Sequence, residues 1–234
     1  MEHTMAGFDA LFFDMDGTLV ENSSLMPAAF KQAFSEAGGY EISLSPWRGS
    51  GRTDWEVMDQ YLMDYPLTEQ EKDEIKEKVA ARVREIVISK VKENGLKALP
   101  GTVELIQKLN EIGIRPGLLT GNMEVIVGPK LAAAGMKRED FWYGGFGDHS
   151  PRRAVTAQRA MESASAFLGY PVDPARALVI GDTPNDIACA RAIGAKALAV
   201  ATGKFSTEQL QEHTPDYLLP DLADLTAFLE IIGA

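Results

Sequence analysis

The strongest constraint on this chain is an alternation. Short apolar runs ending in Gly or an acid recur between longer stretches of helical period, which predicts a parallel sheet covered by helices, a Rossmann-like α/β core. Residues 8–13 (FDALFF), 116–120 (PGLLT), 177–182 (ALVIGD) and 196–200 (KALAV) read as strands. Residues 102–113, the stretch through 130–135, 154–169 and 185–195 read as helices, three of them stopping at a Gly, as helix C-termini prefer. At 234 residues and 45% hydrophobic, the chain can bury one sizeable core plus a smaller insertion.

The interval 21–97 breaks the rhythm. It offers helical patterns at PAAFKQAFSEAGG, WEVMDQYL and residues 68–94 but no convincing strand. In the last of these, Ile75, Val79, Val83 and Ile86 share one helical face, and the many charges form a solvated outer face. The expected division is a core of residues 1–20 and 98–234 with a helical cap at 21–97. An insertion directly after the first strand would sit over the strand ends.

In an open parallel sheet, ligands bind beyond the carboxyl ends of the strands. The residues there are Asp14 and Asp16, Thr120 and Asn122, and Asp182 and Asp186. Two carboxylates about 4 Å apart repel by roughly 4 kcal/mol at an effective dielectric near 20, so this cluster calls for positive charge. Oxygen-only ligands favour Mg²⁺, and without a Cys or His cluster nearby zinc is a poor match.

D-M-D-G-T-L-V after the first strand, L-L-T-G-N after the second and G-D-T-P-N-D after a later one resemble, in order and spacing, the motifs of the haloacid dehalogenase (HAD) superfamily. Within it the chain is similar to phosphoglycolate-phosphatase-like members with a helical cap. The resemblance implies a Mg²⁺-dependent phosphatase acting on a small phosphate monoester, with Asp14 the nucleophile that forms an aspartyl-phosphate. It makes Asp16 the acid and base that protonates the leaving alkoxide and then deprotonates water. The chain turns here, and Gly17 supplies the bend. Thr120, with the backbone N–H of Gly121, would donate to the transferring phosphoryl oxygens. Asn122 either contacts the substrate or caps the next helix. Asp14, the backbone carbonyl of Asp16 and Asp182 would hold the metal. Asp186 would support the metal shell or the basic residue, its plainer reading being an acid favoured by the dipole of a helix start.

The third motif departs from the pattern. Many members carry Lys before Pro there, whereas this chain has GDHSPRRAVTAQRA. Arg152 aligns best with the basic position and Arg153 is the alternative; either keeps the charge and can bind phosphate bidentately. His149 reads as a loop residue or a substrate contact. In the cap, Arg52 precedes a helix capped by Thr53 or Asp54 and suits a second anion on the substrate, or else is simply solvated. Trp47, Trp55 and Trp142 read as packing residues.

A formal net charge of −11 argues against nucleic acid as a partner. No apolar run is long enough to span a bilayer, and the expected setting is the cytoplasm, for which a single cysteine, Cys189, is suitable. The state is expected to be monomer or homodimer. A β-phosphoglucomutase-like phosphomutase would use the same core residues; a non-catalytic phosphate- or metal-binding relative is the third reading, and dehalogenase and phosphonatase activities are disfavoured.

Overall fold

The computed structural model describes residues 7–21, 24–42, 49–148 and 150–234, so Trp47 and His149 lie outside the described residues. Among the described residues six strands, β1 (Ala10–Phe13), β2 (Pro116–Leu119), β3 (Gly144–Gly145), β4 (Ala177–Gly181), β5 (Lys196–Val200) and β6 (Tyr217–Leu219), form one sheet in the order β3-β2-β1-β4-β5-β6. Every pairing is parallel. The central strands are apolar on both faces because both are covered. Leu11 and Phe13 point into a cluster with Leu105, Ile106, Leu109, Val127, Leu131 and Phe228. These come from helices α4 (Thr102–Glu111), α5 (Glu124–Ala133) and α9 (Leu225–Ile232). Ala10 and Phe12 point to the other side, against α6 (Arg153–Leu168), α7 (Pro184–Ala192) and α8 (Thr207–Glu212). That second face is rich in Ala, which lets the helices lie close to the sheet.

Two strands escaped the sequence reading. The sheet edge β3 is a pair of glycines and β6 is three residues long, so neither carries a periodic signal. Glycine serves β3 for a steric reason: a Cβ on Gly145 would overlap the carbonyl of Thr156 in α6.

Between β1 and α4, the described residues of 21–97 contain three α-helices and no strand: α1 (Leu25–Ala33), α2 (Asp54–Leu62) and α3 (Glu69–Asn94). Helix α3 begins with a capping box in which Thr68 and Glu71 satisfy each other's backbone N–H. It buries Val79, Val83 and Ile86 as its period requires, in a cluster with Phe30, Phe34, Trp55, Met58 and Leu62. One of its charges is not solvated: Lys76 is buried between Asp59 and Asp73, 2.7 Å from each, beside the Trp55 ring. The insertion leaves and rejoins the sheet layer through a narrow neck. Val20 bridges Ala98, Glu21 N–H donates to Lys97 O (2.9 Å), and Leu99 N–H to Leu19 O (3.0 Å). Among the described residues no helix is long and apolar enough to cross a membrane.

Candidate active site

Parallel register brings the ends of β1, β2 and β4 level, with Phe13 opposite both Leu118 and Ile180. Asp14, whose N–H donates to Ile180 O (2.8 Å), directly follows β1, Asp182 directly follows β4, and Asp186 approaches from the first turn of α7. One carboxylate oxygen of each can lie within 4.8 Å of the other two, and all three residues are buried. Gly17, at φ 93°, makes the bend after β1, and a Cβ there would overlap the Asp182 carboxylate. The turn has to be glycine both for its conformation and for that approach.

Asp186 caps α7 and also pairs with a basic residue. Its Oδ2 accepts from Thr183 N–H (3.0 Å) and from Thr183 Oγ1 (2.6 Å), closing a capping box on α7. Its Oδ1 receives Arg153 Nη2, which also donates to Asp14 Oδ1 at 2.8 Å. Of the two candidate arginines, it is Arg153 that lies at the acids. Arg152 is exposed at the N-cap of α6, whereas Arg153, the first helical residue, has a side chain only 9% exposed. The reason is helical phase. Ala157, Ala160 and Ala164 form the buried stripe of α6, and Arg153 continues that stripe four residues back.

The electrostatics show what the cluster lacks. Burial, then the neighbouring Asp186, pushes the Asp14 carboxyl up to about 7 despite Arg153. Burial, then Asp186 and Asp14, pushes Asp182 up to about 9. Burial opposes the charge of Arg153, but Asp186 and Asp14 more than compensate and raise its affinity for the proton. Among the described residues, Asp182 Oδ1 receives only a long bond from Thr18 Oγ1 (3.4 Å), while Oδ2 is buried without a partner. An orphaned carboxylate oxygen in a set of buried oxygen donors fits a hard divalent cation. Asp14 and Asp182 have oxygens to offer it; both oxygens of Asp186 are already engaged. The Asp16 carboxylate is bonded elsewhere, by Asn122 Nδ2 and Lys130 Nζ.

A pH dependence follows from these shifts. Asp14, Asp182 and the buried Asp54 of α2, held up at about 7 chiefly by burial, retain protons when folded that the unfolded chain loses above about pH 4. In the absence of a cation, stability is therefore fullest at low pH and is lost as pH rises through 7 and 9. In EDTA the melting temperature is expected to fall by about 5–10 °C between pH 5.5 and 8.5, and millimolar Mg²⁺ to restore most of it at pH 8.5 but little at 5.5. A flat melting profile in EDTA would show that the three carboxylates ionise together unaided.

On the other side of Asp14 the polar groups form a second network. Thr120 is buried, its N–H bonded to Gly145 O (3.1 Å), and its Oγ1 accepts from Asn122 N–H (3.2 Å) and Nδ2 (3.0 Å). Asn122 Nδ2 also donates to Asp16 Oδ2 at 2.6 Å. The amide thus faces the site and does not cap α5, whose first N–H groups go elsewhere: Met123 N–H to Asp54 Oδ2 (2.9 Å) and Glu124 N–H to Asp148 Oδ2 (2.8 Å). The sequence reading missed Lys130 altogether. It is fully buried, and its Nζ lies 2.6 Å from both Asp16 oxygens and 3.0 Å from Asn122 Oδ1. One signal was available: Lys130 falls on the same helical face as Ile126 and Val127, where an apolar residue is expected.

The segment before α2 roofs the site. Thr53 is the N-cap of α2, its Oγ1 accepting from Glu56 N–H, and also donates to Ser150 O (2.8 Å). Asp54 N–H donates to Gly121 O (2.8 Å). A Cβ on Gly121 would overlap the carbonyl of Arg52, so glycine there permits the contact between insertion and sheet layer. Arg52 faces the cavity with its guanidinium 3.5 Å from Glu56. The enclosed space is about 50 Å³, lined by Asp14, Asp16, Thr120, Asn122 and Arg153 below and by Gly49–Arg52 above. Of the tryptophans, Trp55 packs in the helical cluster, and Trp142 lies at the surface with its Nε1 bonded to Asn110.

A parallel six-stranded sheet with clustered carboxylates at its strand ends and a helical insertion over them defines a hydrolase core of HAD type. The model of the haloacid dehalogenase-like hydrolase family matches residues 8–194, and the chain belongs to that family. Among curated relatives, it is 28% identical over 240 residues to a phosphoglycolate phosphatase of Pseudomonas savastanoi pv. phaseolicola, covering 94% of this chain and 83% of that one. To the pyrophosphatase PpaX of Oceanobacillus iheyensis it is 23% identical over 231 residues, covering 95% and 96%. Among solved structures, a CbbY variant from Rhodobacter sphaeroides in complex with xylulose-(1,5)bisphosphate superposes with a TM-score of 0.72 at 22% identity, covering 93% and 96%. A β-phosphoglucomutase from Clostridium difficile superposes at 0.70 and 16%, covering 96% of each. These likenesses carry the fold. The chain is an enzyme of the hydrolase class with curated relatives named as phosphatases.

Proposed function

We propose that this enzyme is a Mg²⁺-dependent phosphatase that hydrolyses a small phosphate monoester through a phosphorylated Asp14. The observation that carries the reading is the surroundings of Asp14. On one side Arg153 pairs with it through Nη2 while, among the described residues, its Nε is buried without a partner and Asp182 on the other side has a buried oxygen without one. A phosphoryl group and a divalent cation meet those two demands. A carboxylate nucleophile divides the hydrolysis into two displacements. Asp14 attacks phosphorus and the ester P–O bond breaks, Asp16 supplying the proton that the departing alkoxide takes. Water then attacks the aspartyl-phosphate, Asp16 receives its proton, and the electrons of the broken P–O bond return to Asp14. Thr120 and Arg153 hold the phosphoryl oxygens. Mg²⁺, held by Asp14, Asp182 and the carbonyl of Asp16, would neutralise charge on those oxygens.

The roof bears on the scale of the substrate. Residues 49–53 close over a space of about 50 Å³, so entry of an ester is expected to lift them and its chemistry to close them, turning at the neck around Glu21–Ser24 and Gly95–Leu99, of which Asn22 and Ser23 lie outside the described residues. In this reading residues 21–97 move as a cap over a core of 1–20 and 98–234. Arg52 on the roof suits an anionic leaving group, favouring phosphoglycolate-like over neutral sugar phosphates.

Phosphate release from a panel holding phosphoglycolate, several sugar phosphates and pyrophosphate tests this, with Mg²⁺ or EDTA. Turnover of a monoester that disappears in EDTA supports the reading. Preference for pyrophosphate would overturn the monoester assignment, and isomerisation of a sugar phosphate without net phosphate release would make the enzyme a phosphomutase.

A further inference from the structure

Asp14 and Asp16 are two residues apart, yet their carboxylates belong to different ion pairs. Asp14 faces Arg153 in the cluster with Asp182 and Asp186. Asp16 faces Lys130, which engages both its oxygens, while Asn122 bonds Oδ2 from a second direction and ties Lys130 to Thr120. An ammonium has three protons to donate, and here its acceptors are the two Asp16 oxygens and Asn122 Oδ1. Asp16 lines the cavity; Lys130 does not. Lys130 is buried on the apolar face of α5 with Ile126, Val127 and Leu131, so any effect on the reaction passes through Asp16.

Without Lys130, a cation at Asp14 and Asp182, together with Arg153, would be the dominant positive charge near Asp16. The free carboxylate would be drawn towards it, becoming another metal ligand instead of a proton acceptor. Two cations on opposite sides keep the two aspartates in separate roles. We propose that Lys130 is a positioning residue for hydrolysis of the phosphoenzyme: it holds the Asp16 carboxylate, with Asn122, where the attacking water gives up its proton. This inference rests on the phosphatase reading. In the step concerned, water oxygen bonds to phosphorus, the bond from phosphorus to Asp14 Oδ breaks with its electrons returning to Asp14, and the water proton passes to Asp16.

The test uses the full chain with Mg²⁺ and acetyl phosphate, together with the best ester of the panel. Acetate leaves without needing a proton, so kcat/KM for acetyl phosphate reports phosphoenzyme formation alone, whereas kcat includes its hydrolysis. In Lys130→Met, kcat is expected to fall by about 100-fold, the lower range for a lost proton-transfer group, while kcat/KM changes by less than about threefold. KM should fall with kcat, and acid quenching followed by mass spectrometry should find phosphorylated protein accumulating at steady state. Lys130→Gln, which retains a donor without the charge, should give the same split with a smaller loss and serves if the Met variant does not fold. Equal falls in kcat and kcat/KM without phosphoenzyme, or no fall in either, would overturn the positioning role while leaving the phosphatase reading intact. Wild type that releases no phosphate from acetyl phosphate or from any ester would overturn both.

Discussion

Asp14→Asn is expected to lower phosphate release by at least about 10⁴-fold, the scale on which loss of a covalent nucleophile is felt, and to make the cation-free protein more heat-stable at pH 8. The first effect follows because an amide nitrogen or oxygen is no nucleophile towards phosphorus, whereas the ionised carboxylate is. The second follows from the environment of Asp14. It sits among buried acids that raise one another's affinity for protons, so an uncharged side chain of the same shape relieves repulsion while its carbonyl still accepts from Arg153. Activity and stability moving in opposite directions is the signature of a group placed for chemistry at a cost in stability. Phosphate release from Asp14→Asn within tenfold of wild type would mean that water attacks the ester directly. A lower melting temperature in EDTA at pH 8 would mean that the Asp14 charge is needed to hold Arg153.

Arg153→Met is expected to cost about 10²–10³-fold in kcat/KM, as for loss of a preorganised charge-stabilising donor, and Arg152→Met less than about twofold. Arg153 is the buried cation paired with both Asp14 and Asp186. Removing it leaves uncompensated acids, a class of change that costs about 3–5 kcal/mol. Melting curves should therefore show Arg153→Met strongly destabilised and partly rescued by Mg²⁺, which answers the same repulsion. Arg153→Lys keeps the charge without the fork and separates the two effects: stability should recover more than turnover. If the two methionine variants lose turnover equally, the basic role does not belong to Arg153.

Much of this site was legible before any coordinates. The motif aspartates fell on strand ends because β1, β2 and β4 are continuous apolar runs, and a parallel sheet aligns their carboxyl ends. Asp186 read as an acid in the first turn of a helix, and α7 does begin there. The helical character of 21–97 was carried by α3, whose period runs through 26 residues. The short strands β3 and β6 gave no such signal, since two or three residues cannot establish a period.

What the sequence by itself determined was the alternation of strand and helix, the place of the acids at the strand ends and the need for a cation among them, because periodicity, capping and like-charge repulsion act over a few residues. Tertiary structure decided which cation answers which acid. Arg153 in preference to Arg152 depends on the phase at which α6 meets the sheet. Lys130 meets Asp16 across 114 residues of chain, and Asp54 of the insertion accepts from the N–H of Met123, the N-cap of α5, across 69. In sequence, Lys130 is one charge in a helix and Asp54 one acid at a helix start. Only when the sheet, α5 and the roof close together are they removed from water, and a charge removed from water must find its partner wherever the fold has put one.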